Sequence, residues 1–246
     1  SPDEAQSILV GGDDHIRMQG MGQGPCLYKN WELMNDLDDW VNERFHYAFH
    51  EKYGYLTAFP TNMGTGLRAD VLLHLPMLSR DGKFSDLQEE ISRMGVRLKA
   101  IKGNSSSDNP GNLYRLTNQK TLGLSEKEII DNVERFSTQL ATEERQMENE
   151  AVLERRGEIE DEVYKSYGVL KYARKLSDKE CMMYLSWIRM GMANGLIALK
   201  KPVNIYGLMV LSGEGNLTSY AERPLGKEEI PYIRGEFIRT HLPEIE

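Results

Sequence analysis

The chain has 246 residues, 40% of them hydrophobic. That suffices to bury a substantial core in one large domain or two small ones, and one domain is the simpler expectation. A net charge of −8 supplies no basic excess to displace counterions from a phosphate backbone, which argues against a general nucleic-acid binder and fits a cationic or arginine-bearing substrate better. Cys26 and Cys181 fit no disulfide or zinc framework, no apolar run approaches the ~20 residues of a membrane span, and SPDEAQ has no signal-peptide character, so a soluble cytoplasmic protein is expected.

Ser7 to Gly11 and His15 to Gln19 read as short strands around the polar turn Gly11-Gly12-Asp13-Asp14, followed by a glycine-rich loop from Gly20 to Pro25. Leu33, Leu37, Trp40, Val41, Phe45, Ala48 and Phe49 recur at helical spacing and predict an amphipathic helix over Trp31 to Phe49. Strands are expected at Tyr55 to Phe59 and Val71 to Leu75, a polar helix at Phe84 to Met94, and strands at Val96 to Lys102 and Leu113 to Asn118. Ser125-x-x-Glu128 is a capping box opening a long charged helix that runs past Glu150, with Ile129, Ile130, Val133, Phe136 and Leu140 on one face. A second box, Ser177-x-x-Glu180, opens a helix closed by Gly195, and a last helix covers Glu228 to His241. Strands first and helices later predict an α+β domain built on an antiparallel sheet flanked by helices.

The segment Gly54 to Pro76, GYLTAFPTNMGTGLRADVLLHLP, carries the most chemistry. Gly64 and Gly66 can take positive φ and bring backbone N–H groups close to an anion, and Arg68 offers a planar fork of donors suited to phosphate oxygens. Taken alone, a GTG-x-R stretch reads more readily as a hairpin turn followed by a surface arginine than as a phosphate site.

The longer pattern decides between them. Pro60, Thr61, Asn62, Gly64, Thr65, Gly66, Leu67 and Arg68 resemble the CP(S/T)N-x-GTGLR pattern of the ATP:guanido phosphotransferases, the family of creatine kinase, arginine kinase and the bacterial protein-arginine kinase McsB; Phe59 stands where the family has cysteine. Gly11 to Arg17, GGDDHIR, resembles the family's NEEDHxR; Arg68 to Leu72, RADVL, resembles RASVM; Lys99 to Asn104, KAIKGN, aligns with RGxxGE but departs from it. Gly111-Asn112, the stretch Thr117 to Gly123 and Val163 to Leu170 resemble protein-arginine kinases more than creatine kinases.

The resemblance implies an ATP-dependent kinase that transfers phosphate to a guanidinium, on arginine residues in proteins or on a small guanidino compound. It places Asp13 as the catalytic carboxylate, Asn104 at the second catalytic position, and Asp13, Phe59 and Asn62 around the guanidinium. ATP contacts fall on His15, Arg17, Arg68, Ala69, Asp70, Val71, Leu72, Lys99, Ala100, Ile101, Lys102, Gly103 and Asn104, with Mg2+ bridging the phosphates. His15 as an ordinary strand histidine, and a homodimer, are left open. So is a catalytically impaired binding module, since Asn104 cannot accept a proton, Lys99 lacks a fork and Phe59 lacks a thiol. The family's upstream S-x-R-x-R clamp has no counterpart, so the chain reads as a catalytic domain without its upstream segment. Of the RDxxRA phosphoarginine-recognition motif only Arg234 remains, in IPYIRG.

Overall fold

The computed structural model describes residues 5–103 and 108–246. The chain divides into two compact units, one of residues 1–72, 85–98 and 115–140, the other of residues 73–84, 99–114 and 141–246.

In the first unit, β1 (Gln6–Val10) and β2 (Ile16–Gly20) form an antiparallel hairpin in which Val10 pairs with Ile16 and Leu9 with Arg17. The turn is closed by the Gly11 N–H donating to the His15 carbonyl. Helix α1 (Leu27–Asn42) packs on β2. It starts earlier and stops sooner than the Trp31 to Phe49 helix expected from periodicity. The reason is local: the Asn42 side-chain oxygen accepts from Tyr47 N–H at 3.2 Å, offering the backbone a non-helical partner. Phe49 then enters a two-residue strand, β3 (Phe49–His50), paired antiparallel with β4 (Gly54–Tyr55).

The strand expected from Tyr55 to Phe59 ends at Tyr55. Leu56 N–H donates to the Ala48 carbonyl, Phe59 N–H goes to a side chain rather than a neighbouring strand, and Pro60 opens a 3-10 turn over Pro60–Asn62. Later segments supply α2 (Phe84–Arg93), β6 (Val96–Ala100) and β7 (Leu113–Asn118), and β7 is central in a three-stranded sheet between β5 (Asp70–His74) and β6. Val96, Leu98 and Leu116 are buried, as are Ile129, Ile130, Val133 and Leu140, the face of the long charged helix anticipated from its spacing. Each such side chain contributes about 1.5–3 kcal/mol relative to exposure.

That helix, α3 (Glu126–Tyr172), is continuous except at Arg155, where φ −133 and ψ 39 break the regular geometry. In the second unit, α4 (Asp178–Ala193) begins with the capping box read from sequence: Ser177 accepts from Glu180 N–H while the Glu180 carboxylate accepts from Ser177 N–H. Two short helices follow that periodicity did not reveal, α5 (Ile205–Leu211) and α6 (Glu214–Tyr220), before α7 (Ile230–His241). Val163, Leu170, Leu176, Leu185, Ile188, Leu217 and Ile238 form the centre of this unit's core. No helix among the described residues is long and apolar enough to cross a membrane. Both cysteines are unpaired thiols.

Candidate active site

The first unit assembles a polar network on the loop between β4 and β5. Two glycines shape that loop. Gly64 has φ +108 and Gly66 φ +67, and a Cβ on Gly64 would lie 2.3 Å from the Thr121 carbonyl oxygen. The close approach is used: Thr65 N–H donates to that same oxygen at 2.9 Å, and the Thr121 hydroxyl is shared between the carbonyls of Met63 at 2.7 Å and Thr61 at 3.1 Å.

Arg68 is half-buried where the loop ends. Its Nε donates to Asn62 Oδ1 at 3.0 Å, Nη1 to the Asn118 carbonyl at 2.9 Å and Nη2 to the Thr61 carbonyl at 2.7 Å. Three of the five guanidinium N–H groups thus fix its plane, leaving two for a ligand. The buried Asn118 holds the adjoining backbone: its Oδ1 accepts from Ala69 N–H at 2.9 Å and its Nδ2 donates to the Leu67 and Lys120 carbonyls.

Asn62 continues the network to the turn of the β1–β2 hairpin. Its Nδ2 donates to Asp14 Oδ2 at 2.7 Å, and Asp14 Oδ1 accepts from Phe59 N–H at 2.9 Å. Desolvation pushes the Asp14 carboxyl up, but the bonds from Phe59 and Asn62 and the nearby Arg17 charge outweigh it, so the group lies below its ordinary value and is ionised at neutral pH. Sequence reading put the catalytic role on Asp13; the structure leaves Asp13 exposed in the turn and gives the bridging contacts to its neighbour.

The other anticipated positions are distributed as follows. His15 is exposed beside the turn, and Arg17 is exposed on β2. Ala69 is buried behind Arg68, while Asp70, Val71 and Leu72 begin β5, with Asp70 and Leu72 exposed. Phe59 is 48% exposed, with its backbone rather than its ring engaged. Lys99 to Gly103 belong to the second unit; Lys99 and Ile101 are exposed, Ala100 is half-buried, and Lys102 Nζ makes a 2.6 Å ion pair with Asp178. Gly103 takes φ +72. Asn104 lies outside the described residues.

Sequence reasoning missed the structural importance of Asp14, Asn118 and Thr121. Asn118 and Thr121 fall within the Thr117 to Gly123 stretch that resembles protein-arginine kinases, but nothing local signals a buried asparagine bridging three backbone groups. In the second unit, the surviving Arg234 is buried, donating from Nε to the Ser212 carbonyl at 2.9 Å and from Nη1 to the Leu176 carbonyl at 3.1 Å.

Comparison with known proteins identifies the family. Residues 1–147 match the family model for the ATP:guanido phosphotransferase C-terminal catalytic domain, and residues 156–246 that for the protein-arginine kinase McsB C-terminal domain. A protein-arginine kinase from Clostridium botulinum (strain Eklund 17B / Type B) is 36% identical over 244 residues, covering 98% of this chain and 71% of the relative. One from Desulforamulus reducens (strain MI-1) is 38% identical, covering 98% and 67%. Among solved structures, lombricine kinase matches with TM-score 0.52 and 25% identity, covering 60% of this chain and 41% of its own. The duplicated taurocyamine kinase from Schistosoma mansoni with bound transition-state analogue components matches with TM-score 0.53 and 20% identity, covering 73% and 25%, a likeness of fold alone. By two family models that together span nearly its whole length, and by relatives more than one-third identical along it, the chain belongs to the protein-arginine kinases of the ATP:guanido phosphotransferase family.

Proposed function

We propose that the protein transfers a phosphoryl group from ATP to the guanidinium of arginine residues in proteins. The observation that carries this reading is the fixed Arg68 guanidinium, held in plane by Asn62, Asn118 and Thr61 with two N–H groups left over, on the loop that ends at the Asp14 network.

Phosphoryl transfer asks little covalent work of a protein and much positioning, because charge spreads over the equatorial oxygens of the group in flight. Arg68 is suited to that charge, since a preoriented fork costs no reorganisation when the charge develops. Arg17 is exposed on β2 and close enough to lower the Asp14 carboxyl, which brings a second cation to the network. Asp13, exposed at the same turn, is the carboxylate we assign to orienting the acceptor guanidinium. The second catalytic position we assign to Asn104 by resemblance; its amide can hold the acceptor by a hydrogen bond.

Among the described residues no group of three or more His, Cys, Asp or Glu side chains is placed to hold a metal. Mg2+ arriving with the nucleotide would be held by phosphate oxygens and water, and it supplies charge neutralisation on the phosphates. The relatives, all protein-arginine kinases, lend no support to the alternative of a catalytically impaired binding module, whose grounds are Asn104, Lys99 and Phe59.

The test is incubation of the full chain with MgATP and an arginine-rich protein, followed by 31P NMR for an acid-labile phosphoramidate. Transfer is expected, and Arg68→Ala should lower it by at least about 100-fold. Absence of any phosphoarginine with the wild-type chain, together with no MgADP binding by calorimetry, would overturn the assignment.

A further inference from the structure

The loop that carries Arg68 also walls a cavity that none of the chemistry above uses. It is an open groove of about 210 Å³ lined by Phe49, Lys52, Tyr53, Tyr55, Gly64, Thr65 and, in the first turn of α3, Glu126. One water needs roughly 10–15 Å³, so a planar head group fits easily.

We propose that this cavity is a second guanidinium-binding subsite, taking the side chain of a further arginine in the protein substrate beside the acceptor arginine. The proposal rests on the kinase reading and specifies which substrates that site prefers.

Three observations converge on a cation. The exposed ring is Phe49, 59% exposed and edge-on to Tyr55 at 5.4 Å and 72°, while Tyr53 is already stacked by His50 at 4.9 Å and 35°. Aromatic faces carry negative quadrupole density, and a guanidinium stacks on them better than an ammonium does. The charge around the cavity is acidic. Burial first, then the carboxylates of Asp38, Glu126 and Asp39, raise the Tyr55 phenol above its ordinary value. Finally, a cation from the chain itself already uses one of these rings, since Lys52 Nζ lies 5.4 Å from the Tyr53 ring centroid.

Other ligand classes fit less well. An anion would meet Glu126 and the field of Asp38 and Asp39, with Lys52 as the one cation in the lining. An aliphatic side chain would desolvate the Glu126 carboxylate without pairing it. The position is also informative, because Gly64 and Thr65 form the cavity wall four and three residues before Arg68. A substrate arginine seated there is anchored to the same short loop as the phosphate ligand.

The experiment uses fluorescence anisotropy on the full chain with two labelled peptides, one bearing two arginines and one in which the second arginine is replaced by citrulline, its uncharged isostere. The two-arginine peptide should bind about fivefold more tightly to the wild type. Phe49→Ala and Glu126→Gln should each bring that ratio close to one, and Lys52→Met, which removes the resident competitor, should raise it about threefold. A wild-type ratio near one, or a fivefold ratio that survives both Phe49→Ala and Glu126→Gln, overturns the subsite. Should Phe49→Ala not fold, the exposed Lys52→Met decides: a raised ratio supports the proposal and an unchanged one sinks it. ATP-dependent phosphorylation of the same peptides separates the two claims. A retained ratio without transfer overturns the kinase reading and leaves the subsite standing; transfer without a ratio does the reverse.

Discussion

The amide oxygen of Asn62 accepts from Arg68 Nε at 3.0 Å, so the orientation of the Arg68 guanidinium is set by a side chain six residues earlier in the same loop. Through its other amide atom Asn62 is tied to Asp14 at 2.7 Å, which links the hairpin turn to the loop. Orientation at this site therefore depends on residues that need not touch substrate.

Asn62→Ala should leave the fold intact and reduce the phosphoryl-transfer rate by about 100-fold, the cost typical of a 1 Å error in placing a reacting group. Steady-state kinetics with MgATP would read this mainly in kcat. A variant with unchanged kcat would show that Asn62 does not position Arg68.

Gly64→Ala and Gly66→Ala should differ sharply although both residues have positive φ. At Gly66 a Cβ meets only the Asn62 carbonyl oxygen at 3.9 Å, so the cost is the left-handed backbone alone, about 1–2 kcal/mol. At Gly64 it would strike the Thr121 carbonyl at 2.3 Å, and the loop or the strand end must move. Urea melts should show Gly64→Ala the more destabilised by at least about 2 kcal/mol. Equal midpoints would contradict the close approach.

Glu144 makes the second unit sensitive to pH. Burial pushes its carboxyl from an ordinary 4.5 up to about 7, against bonds from the Leu78 and Met77 N–H groups and with a further push from Glu148. A folded value above the unfolded one means that this contribution to stability is whole below about 4 and is lost as pH rises from 4.5 to about 7. His74 acts in the opposite sense: burial and the Arg189 charge lower it to about 3, so its neutral ring contributes stability above 6.5 that is lost as pH falls toward 3. Comparing wild type with Glu144→Gln holds the His74 effect constant. Circular-dichroism melts should show the wild-type Tm falling more between pH 5 and pH 7 than that of the variant, and parallel curves would remove Glu144 as the cause.

Arg234→Met should cost about 3 kcal/mol, because it strips the buried carbonyls of Ser212 and Leu176 of their donors. Arg234→Lys should recover little, since a single ammonium cannot reach both acceptors in the plane the guanidinium spans. Denaturant unfolding of the three proteins measures the difference; full recovery by lysine would mean that charge alone matters here.

How far the residues announced this structure depended on the range of the interactions that shaped it. The Ser125 and Ser177 capping boxes were legible because each is complete within four residues, and the buried face of α3 because Ile129, Ile130, Val133, Phe136 and Leu140 repeat at one spacing. The end of α1 was not, since apolar periodicity continued to Phe49 while the Asn42 side chain gave the backbone another partner. Nor were α5 and α6, each seven residues long and too short to show a period. At the site, Arg68 was legible from the loop pattern. The tie from Asp14 to this loop was not, because what gives it to one of two adjacent aspartates is a contact 45 residues away.

Phe59 carries a consequence for chemistry with electrophiles. It occupies the position where the family keeps a sulfur atom, and the chain's remaining thiols lie elsewhere: Cys26 is half-buried just before α1, and Cys181 is fully buried, with its thiol pushed up to about 11 by burial. Only a thiolate alkylates or oxidises readily. Iodoacetamide therefore has no thiol to alkylate on the Arg68 loop, and inactivation by thiol alkylation would trace to Cys26.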